Sequence, residues 1–213
     1  MKVITFFIVL ILLIACNNTQ EGSSKLDLRI VETKVPLVLL PDGLPLNDYM
    51  AKGNEFLVDG EFENAVNAFT QVLRLDVNNI EAYNNRGVAY KSLGEFQKAI
   101  DDYNAAIDIN PSYANSYNNR GHLWDNMKVY PKAINDFQIA IELNPFDPIA
   151  YYNIANIYAY TDQYELALEN FTKAIKNNPE FIDAYYNRGK IYEELKRFDN
   201  ANLDFQKVEE LNK

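Results

Sequence analysis

The sequence repeats with a period of 34 residues, and this period limits the possible folds more than any other feature. A column of small residues recurs at that interval without a gap, at Gly53, Gly87, Gly121, Ala155 and Gly189. When this column is taken as position eight, the chain divides into five units, 46–79, 80–113, 114–147, 148–181 and 182–213. Periods of about 20 to 50 residues are typical of arrays in which each supersecondary unit stacks on its neighbours.

Further columns predict two helices in each unit. Position four is always tyrosine, position twenty is always alanine, and positions eleven, seventeen and twenty-four are aromatic. Positions four, eight and eleven share one face of a first helix, and positions twenty, twenty-four and twenty-seven share one face of a second. Small residues at positions eight and twenty allow the two helices to approach closely, and the aromatic side chains fill the space around them.

At these positions the chain resembles the tetratricopeptide repeat, from residue 46 to residue 213. The resemblance implies an all-α fold, an α-solenoid of five 34-residue helix-turn-helix repeats wound into a right-handed superhelix. It also implies that the first helix of each pair lines a concave surface, through positions two, five, six, nine, twelve and thirteen. Members of this family bind proteins or peptides in that groove.

The fifth unit, 182–213, differs from the others on its outer side. Positions twenty-one and twenty-eight are apolar in the first four units, but in the last they are Asn202 and Glu209. Terminal repeats need a polar outer face, so this unit is predicted to cap the array. Alternatively, its last helix docks on another subunit through Leu203 and Leu211, and the sequence leaves the oligomeric state open.

The N-terminus, residues 1–15, has the layout of a secretory signal peptide. One lysine precedes 13 residues that are apolar apart from Thr5, a stretch about 20 Å long as a helix and therefore short for a membrane span. The segment Leu13-Ile14-Ala15-Cys16 resembles the lipobox of bacterial lipoproteins, which implies cleavage before Cys16 and acylation of its thiol. A plain signal peptide with a chance cysteine is the alternative.

Residues 16–45 are predicted to form the lipidated N-terminus and a tether. The stretch after Cys16 is polar, and Pro36, Pro41 and Pro45 prevent a continuous helix. Residues 35–40 are too apolar for a free linker. They are expected to pack against the first helices as a cap, and the alternative is that they occupy the protein's own groove as an internal ligand.

Composition excludes several classes of function. The formal net charge is −10, which argues against a nucleic-acid partner. There is one cysteine and one histidine, so no intrachain disulfide and no metal site of several thiolates or imidazoles is expected, and no cofactor is predicted. Neither residue four positions from His122 is acidic, since these are Asn118 and Asn126, so His122 is interpreted as a groove-lining residue rather than a ligand or base. The chain is therefore not predicted to be an enzyme.

A charge pattern predicts structural ion pairs inside three of the units. Position seven carries arginine and position twenty-three carries aspartate in the same three units, whereas the other two units lack both residues. The predicted pairs are Arg86 with Asp102, Arg120 with Asp136, and Arg188 with Asp204.

Asparagine is enriched in the predicted groove, at 11 of its 30 positions. Position six is asparagine in four consecutive units, at Asn85, Asn119, Asn153 and Asn187. An amide both donates and accepts hydrogen bonds, so such a ladder matches the backbone of an extended peptide, although it could also serve only local backbone groups. Selectivity is expected from the flanking residues Asn84, Asn118, Tyr152, Tyr186, His122 and Lys190.

Together these features predict a non-enzymatic, membrane-tethered scaffold of the bacterial cell envelope that binds a protein or peptide. Two alternatives remain, a surface-exposed lipoprotein that meets host or neighbouring molecules, and a glycan- or peptidoglycan-processing enzyme. The enzyme is disfavoured because the predicted groove carries no constellation of acidic residues.

Overall fold

The computed structural model describes residues 37–38, 40–41 and 43–213. The predicted signal peptide, Cys16 and the tether up to residue 36 lie outside the described residues. The part that is described contains ten helices and no strand: α1 Leu46–Val58, α2 Phe62–Leu75, α3 Ile80–Ser92, α4 Phe96–Ile109, α5 Ala114–Asn126, α6 Tyr130–Leu143, α7 Pro148–Tyr160, α8 Tyr164–Asn177, α9 Ile182–Glu194 and α10 Phe198–Leu211.

Each of the five units forms one pair of helices. The two helices of a pair pack on each other, the second helix packs on the first helix of the next pair, and the odd-numbered helices of adjacent pairs also touch. The predicted all-α solenoid of five helix pairs is confirmed. Among the described residues, no helix combines the length and the apolar character needed to span a bilayer.

The column of small residues explains how closely the helices of a pair approach. At position eight of four repeats, a methyl group added to the glycine would lie 2.5–2.8 Å from the aromatic ring at position twenty-four of the same repeat. Gly87 faces Tyr103 in this way, and Gly121 faces Phe137. In the fourth repeat Ala155 occupies this position, and both it and Phe171 are fully buried. The ring at position twenty-four is therefore at the centre of the core in the first four repeats, while Phe205 of the last repeat is half-buried.

The turn between the two helices of a pair contains one residue with a left-handed backbone. Gly60 and Gly94 supply it in the first two repeats, with φ of 76° and 75°. The equivalent residues of the last three repeats are Lys128, Asp162 and Lys196, with φ of 58–59°. A residue with a Cβ atom is strained in this conformation, so these three turns cost stability that a glycine would not.

The segment before α1 packs along the second helix of the first repeat. The Val38 N–H donates to Asn64 Oδ1 at 2.7 Å, and Asn67 Nδ2 donates to the Val38 carbonyl at 3.3 Å. Leu40 and Leu44 cover the core of the first repeat. Asn64 and Asn67 both belong to α2, so the described part of this segment caps the array and does not act as a ligand in the groove of the first helices.

The last repeat presents a polar outer surface. Asn202 and Glu209 are exposed, as expected for a cap, while Leu203 is 66% exposed and Leu211 is half-buried. Docking of α10 on another subunit stays a prediction.

Candidate functional site

The first helices of the repeats form the surface on which the predicted groove residues lie. A cavity of about 510 Å³ opens there beside the third repeat. We call it the amide pocket, and its lining residues are Asn84, Asn115, Asn118, Asn119, His122, Asn144, Asp147 and Ile149. Five of these eight residues are asparagines, so amide groups dominate the polar surface of the pocket.

The predicted asparagine ladder is built into the contacts between repeats. Each amide nitrogen at position six donates to a side chain of the preceding repeat, 31 or 35 residues earlier in the chain. The four bonds are Asn85 Nδ2 to Asn54 Oδ1 at 3.0 Å, Asn119 Nδ2 to Asn84 Oδ1 at 2.9 Å, Asn153 Nδ2 to His122 Nε2 at 3.0 Å, and Asn187 Nδ2 to Asn156 Oδ1 at 3.0 Å.

This arrangement changes what the ladder can offer to a ligand. Each amide nitrogen already uses at least one of its two N–H groups, and Asn84 and Asn153 are buried. Within the described part of the chain, the Oδ1 atoms of Asn119 and Asn187 accept no hydrogen bond. The column therefore offers these two oxygens as acceptors for the N–H groups of a ligand, and fewer free N–H donors than the sequence suggested.

His122 is a neutral acceptor in this network. An amide nitrogen can only donate, so the contact with Asn153 requires an unprotonated Nε2 and places the ring proton on Nδ1. Burial, with a smaller contribution from the charge of Lys91, holds the pKa of His122 below its usual value. The ring also packs edge-on against Phe137, with centroids 5.6 Å apart. His122 thus lines the groove and links two repeats.

Asn118 carries the least satisfied polar atom of the pocket. Its Nδ2 donates to Asp147 Oδ2 at 2.7 Å, and the other carboxylate oxygen of Asp147 accepts from the N–H of Ile149 at 2.9 Å and so caps α7. The Oδ1 of Asn118 is buried and finds no hydrogen-bond partner among the residues that the structure describes. A buried acceptor without a partner costs about 1–3 kcal/mol, so a donor from a ligand would be favourable here.

The remaining predicted selectivity residues lie away from the amide pocket. Tyr152 accepts a hydrogen bond from Asn187 Nδ2 at 3.1 Å, and its ring packs 4.8 Å from that of Phe181. Tyr186 is 50% exposed, and Lys190 is paired with Glu193 at 2.5 Å. The structure therefore brings Asn84, Asn118, Asn119 and His122 together and leaves these three residues near the fourth and fifth repeats.

The three arginines lie against the aspartates expected from the sequence. Each guanidinium makes two bonds to its aspartate, through Nε and Nη2, at 2.7–2.8 Å. Its Nη1 reaches the preceding repeat, where it donates to Thr70, Asn104 or Thr172 at 2.5–3.1 Å. We call this three-point arrangement an arginine clamp. The contact of Nη1 with the preceding repeat was not predicted from the sequence. Position twenty-five of that repeat carries the hydroxyl or amide that accepts the bond in each case.

Among the described residues, no group of three histidine, cysteine or acidic side chains is placed to hold a metal ion.

Comparisons with known proteins agree with this architecture. The tetratricopeptide repeat family matches residues 80–113 and 148–181, and related tetratricopeptide models match 53–94 and 170–201. No curated protein sequence matches the chain significantly.

Solved structures of similar fold include MamA, at 30% identity and a TM-score of 0.65, covering 78% of this chain and 91% of MamA. YrrB, described as a tetratricopeptide protein with an unusual peptide-binding site, is 23% identical with a TM-score of 0.58. The match covers 78% of this chain and 86% of YrrB. Pseudomonas aeruginosa pilF is 18% identical with a TM-score of 0.73, and the match covers 78% of this chain and 75% of pilF. Given the helix pairs, the repeated core positions and these matches, the chain belongs to the tetratricopeptide-repeat family.

Proposed function

We propose that this protein is a non-enzymatic scaffold that binds an extended peptide segment of a partner protein in the amide pocket, and that Cys16 holds it at a membrane of the bacterial cell envelope. The observation that carries the binding proposal is the composition of the pocket, in which five asparagines surround about 510 Å³ of open space. A peptide backbone presents N–H and C=O groups at regular intervals, and amide side chains match both.

The rigidity of the site supports the same proposal. Asn119 is held by Asn84, and Asn118 is held by Asp147, so these side chains are already ordered in the free protein. A ligand that binds pre-ordered groups loses less conformational entropy on association. The buried Oδ1 of Asn118 adds an acceptor that a backbone N–H of the ligand can satisfy. The peptide-binding site described for YrrB gives a precedent in a protein of similar fold.

Peptide binding can be tested without knowing the natural partner. A random peptide library is panned on the full chain, and the affinity of a selected peptide is measured by fluorescence anisotropy. The double variant Asn115→Ala/Asn119→Ala removes two amides of the pocket. Two lost hydrogen bonds cost about 1–3 kcal/mol, so we expect the dissociation constant to rise about 5- to 150-fold.

The matched control removes two asparagines that are exposed in the last repeat, Asn200→Ala/Asn202→Ala. This variant should bind the peptide as wild type does. Equal affinity of both double variants, with both folded by circular dichroism, would show that the selected peptides bind elsewhere and that the amide pocket is not the site.

The membrane tether rests on the segment Leu13-Ile14-Ala15-Cys16. An acyl chain contributes about 0.8 kcal/mol per buried methylene group, and two or more chains give stable anchoring. Expressed in a bacterium, the wild-type chain should partition into detergent, and Cys16→Ser should remain unprocessed or become soluble. Unchanged partitioning and an unchanged N-terminal mass in the variant would contradict lipidation.

A further inference from the structure

The fourth repeat lacks the arginine clamp although it keeps most of the surroundings of one. Position seven is Ile154 in place of arginine, and position twenty-three is Asn170 in place of aspartate. A cavity of about 560 Å³ lies at this place, between α6, α7 and α8. None of its lining residues belongs to the amide pocket.

The walls of this cavity are the residues that surround a guanidinium in the other repeats. Tyrosines at positions four and eleven flank Arg86 and Arg188 at 5.6–6.0 Å from the ring centroids, and the cavity has Tyr151 and Tyr158 at these positions. Asn170 stands where the aspartate would be. Gln138 stands where the preceding repeat supplies Thr70, Asn104 or Thr172.

The buried side chain of Ile154 is shorter than arginine and has no polar end, so the place of the guanidinium is open. We propose that this cavity binds an arginine side chain of a partner protein. The partner's guanidinium takes the place that the chain's own Arg86, Arg120 and Arg188 fill in three other repeats.

The polar groups of the cavity suit a planar cation. Asn170 Nδ2 donates to the carbonyl of Leu166 at 2.8 Å, which leaves its Oδ1 as an acceptor. Gln138 can offer a second amide oxygen, and Glu169 adds a carboxylate at the edge. The charge of the whole chain, −10, attracts a basic partner.

One cation of the chain already lies at the edge of the cavity. Lys173 Nζ pairs with Glu169 at 2.7 Å and lies 5.9 Å from the centre of the Tyr151 ring. Its side chain is 47% exposed. An exposed ion pair of this kind contributes little free energy, so an incoming guanidinium can displace it. Arginine is favoured over lysine as the ligand because its planar group stacks between two rings while it donates to two acceptors.

The binding test uses capped tripeptides, Gly-Arg-Gly, Gly-Lys-Gly and Gly-citrulline-Gly, titrated into the full chain. Methyl NMR signals of Ile141, Ile154 and Leu166 report on the cavity. We expect saturable shifts with the arginine peptide, at least threefold weaker binding of the lysine peptide, and no shift with citrulline, which lacks the charge. Equal responses to the three peptides, or shifts that avoid these methyl groups, would overturn the proposal. The proposal would also be overturned if free guanidinium ion bound as tightly as the arginine peptide, because the site would then not select a protein partner.

A pair of designed variants separates binding from folding. Ile154→Arg/Asn170→Asp builds the fourth clamp inside the chain, so it should abolish the shifts of Leu166 and Ile141. Lys52→Arg/Ala68→Asp places the same two residues in the first repeat and should leave peptide binding unchanged. If the first variant does not fold, Glu169→Gln compared with the exposed control Glu180→Gln serves instead, with at least a twofold weakening expected only for Glu169→Gln. The proposal would be overturned if the cavity variant that folds, Ile154→Arg/Asn170→Asp or Glu169→Gln, bound the arginine peptide with wild-type affinity.

Discussion

The contact between position eight and position twenty-four allows a test in which packing and helix propensity predict opposite changes in stability. Gly87→Ala places a methyl group 2.6, 2.9 and 3.1 Å from three ring atoms of Tyr103. Ordinary carbon contacts are about 3.5–4.0 Å, and Tyr103 is fully buried, so the ring has little room to withdraw. Overpacking of this kind costs about 1–3 kcal/mol, while alanine gains about 1 kcal/mol of helix propensity over glycine.

We therefore expect Gly87→Ala to lower the free energy of unfolding by up to about 2 kcal/mol, measured by urea denaturation with circular dichroism at 222 nm. The fourth repeat provides the reverse experiment, because Ala155 fits against Phe171 there. Ala155→Gly loses helix propensity and should also destabilise, by about 1 kcal/mol. In a Tyr103→Leu background, Gly87→Ala should cost less free energy than it does in wild type, because the methyl group no longer meets the ring. If Gly87→Ala raises the stability, propensity governs this position and the reasoning from packing is wrong.

Two further predictions concern single residues. The pKa of His122 is lower in the folded chain than in the unfolded chain, where it is about 6.5. The neutral ring therefore contributes its full stabilisation above about pH 6.5, and this stabilisation is lost as the pH falls through the pKa of the folded state. His122→Asn, which copies position nine of the first and fourth repeats, should lose less stability than wild type between pH 7.5 and pH 5.5, and an identical loss would contradict the neutral role. Lys196→Gly relieves a left-handed turn residue with φ of 58°, so it should raise the free energy of unfolding by up to about 1 kcal/mol. Lys176→Gly, in the last turn of α8, should lower the free energy of unfolding instead.

The sequence predicted the fold well because its period is unbroken. All five first helices begin at the first residue of the units that the small-residue column defined, from Leu46 to Ile182. The partners of the arginines could also be predicted, since arginine and aspartate occur together in the same repeats. The left-handed turns were less visible, because only Gly60 and Gly94 mark a position that Lys128, Asp162 and Lys196 also occupy.

The candidate site was predicted only in part. Which residues line the groove follows from the period, but which amide donates to which neighbour depends on how far one repeat is rotated against the next. Asn119 bonds to Asn84 at position five, because position nine of the second repeat is Val88 and offers no acceptor. The residue type at position nine thus decides between the two acceptors, but only the packed structure shows that positions five and nine of the preceding repeat both lie within reach of position six. The open place beside Ile154 became evident only when its walls were compared with those of the three clamps.

The uneven distribution of the arginine clamps has a consequence for how the array unfolds. Arg86, Arg120 and Arg188 couple the first repeat to the second, the second to the third, and the fourth to the fifth. The junction of the third and fourth repeats has no such coupling. In a linear array each junction sets how strongly neighbouring units fold together, so we expect the cooperative units to divide at the junction without an arginine clamp. Amide hydrogens of α1 to α6 should therefore exchange as one block and those of α7 to α10 as another, with the boundary at the unclamped junction.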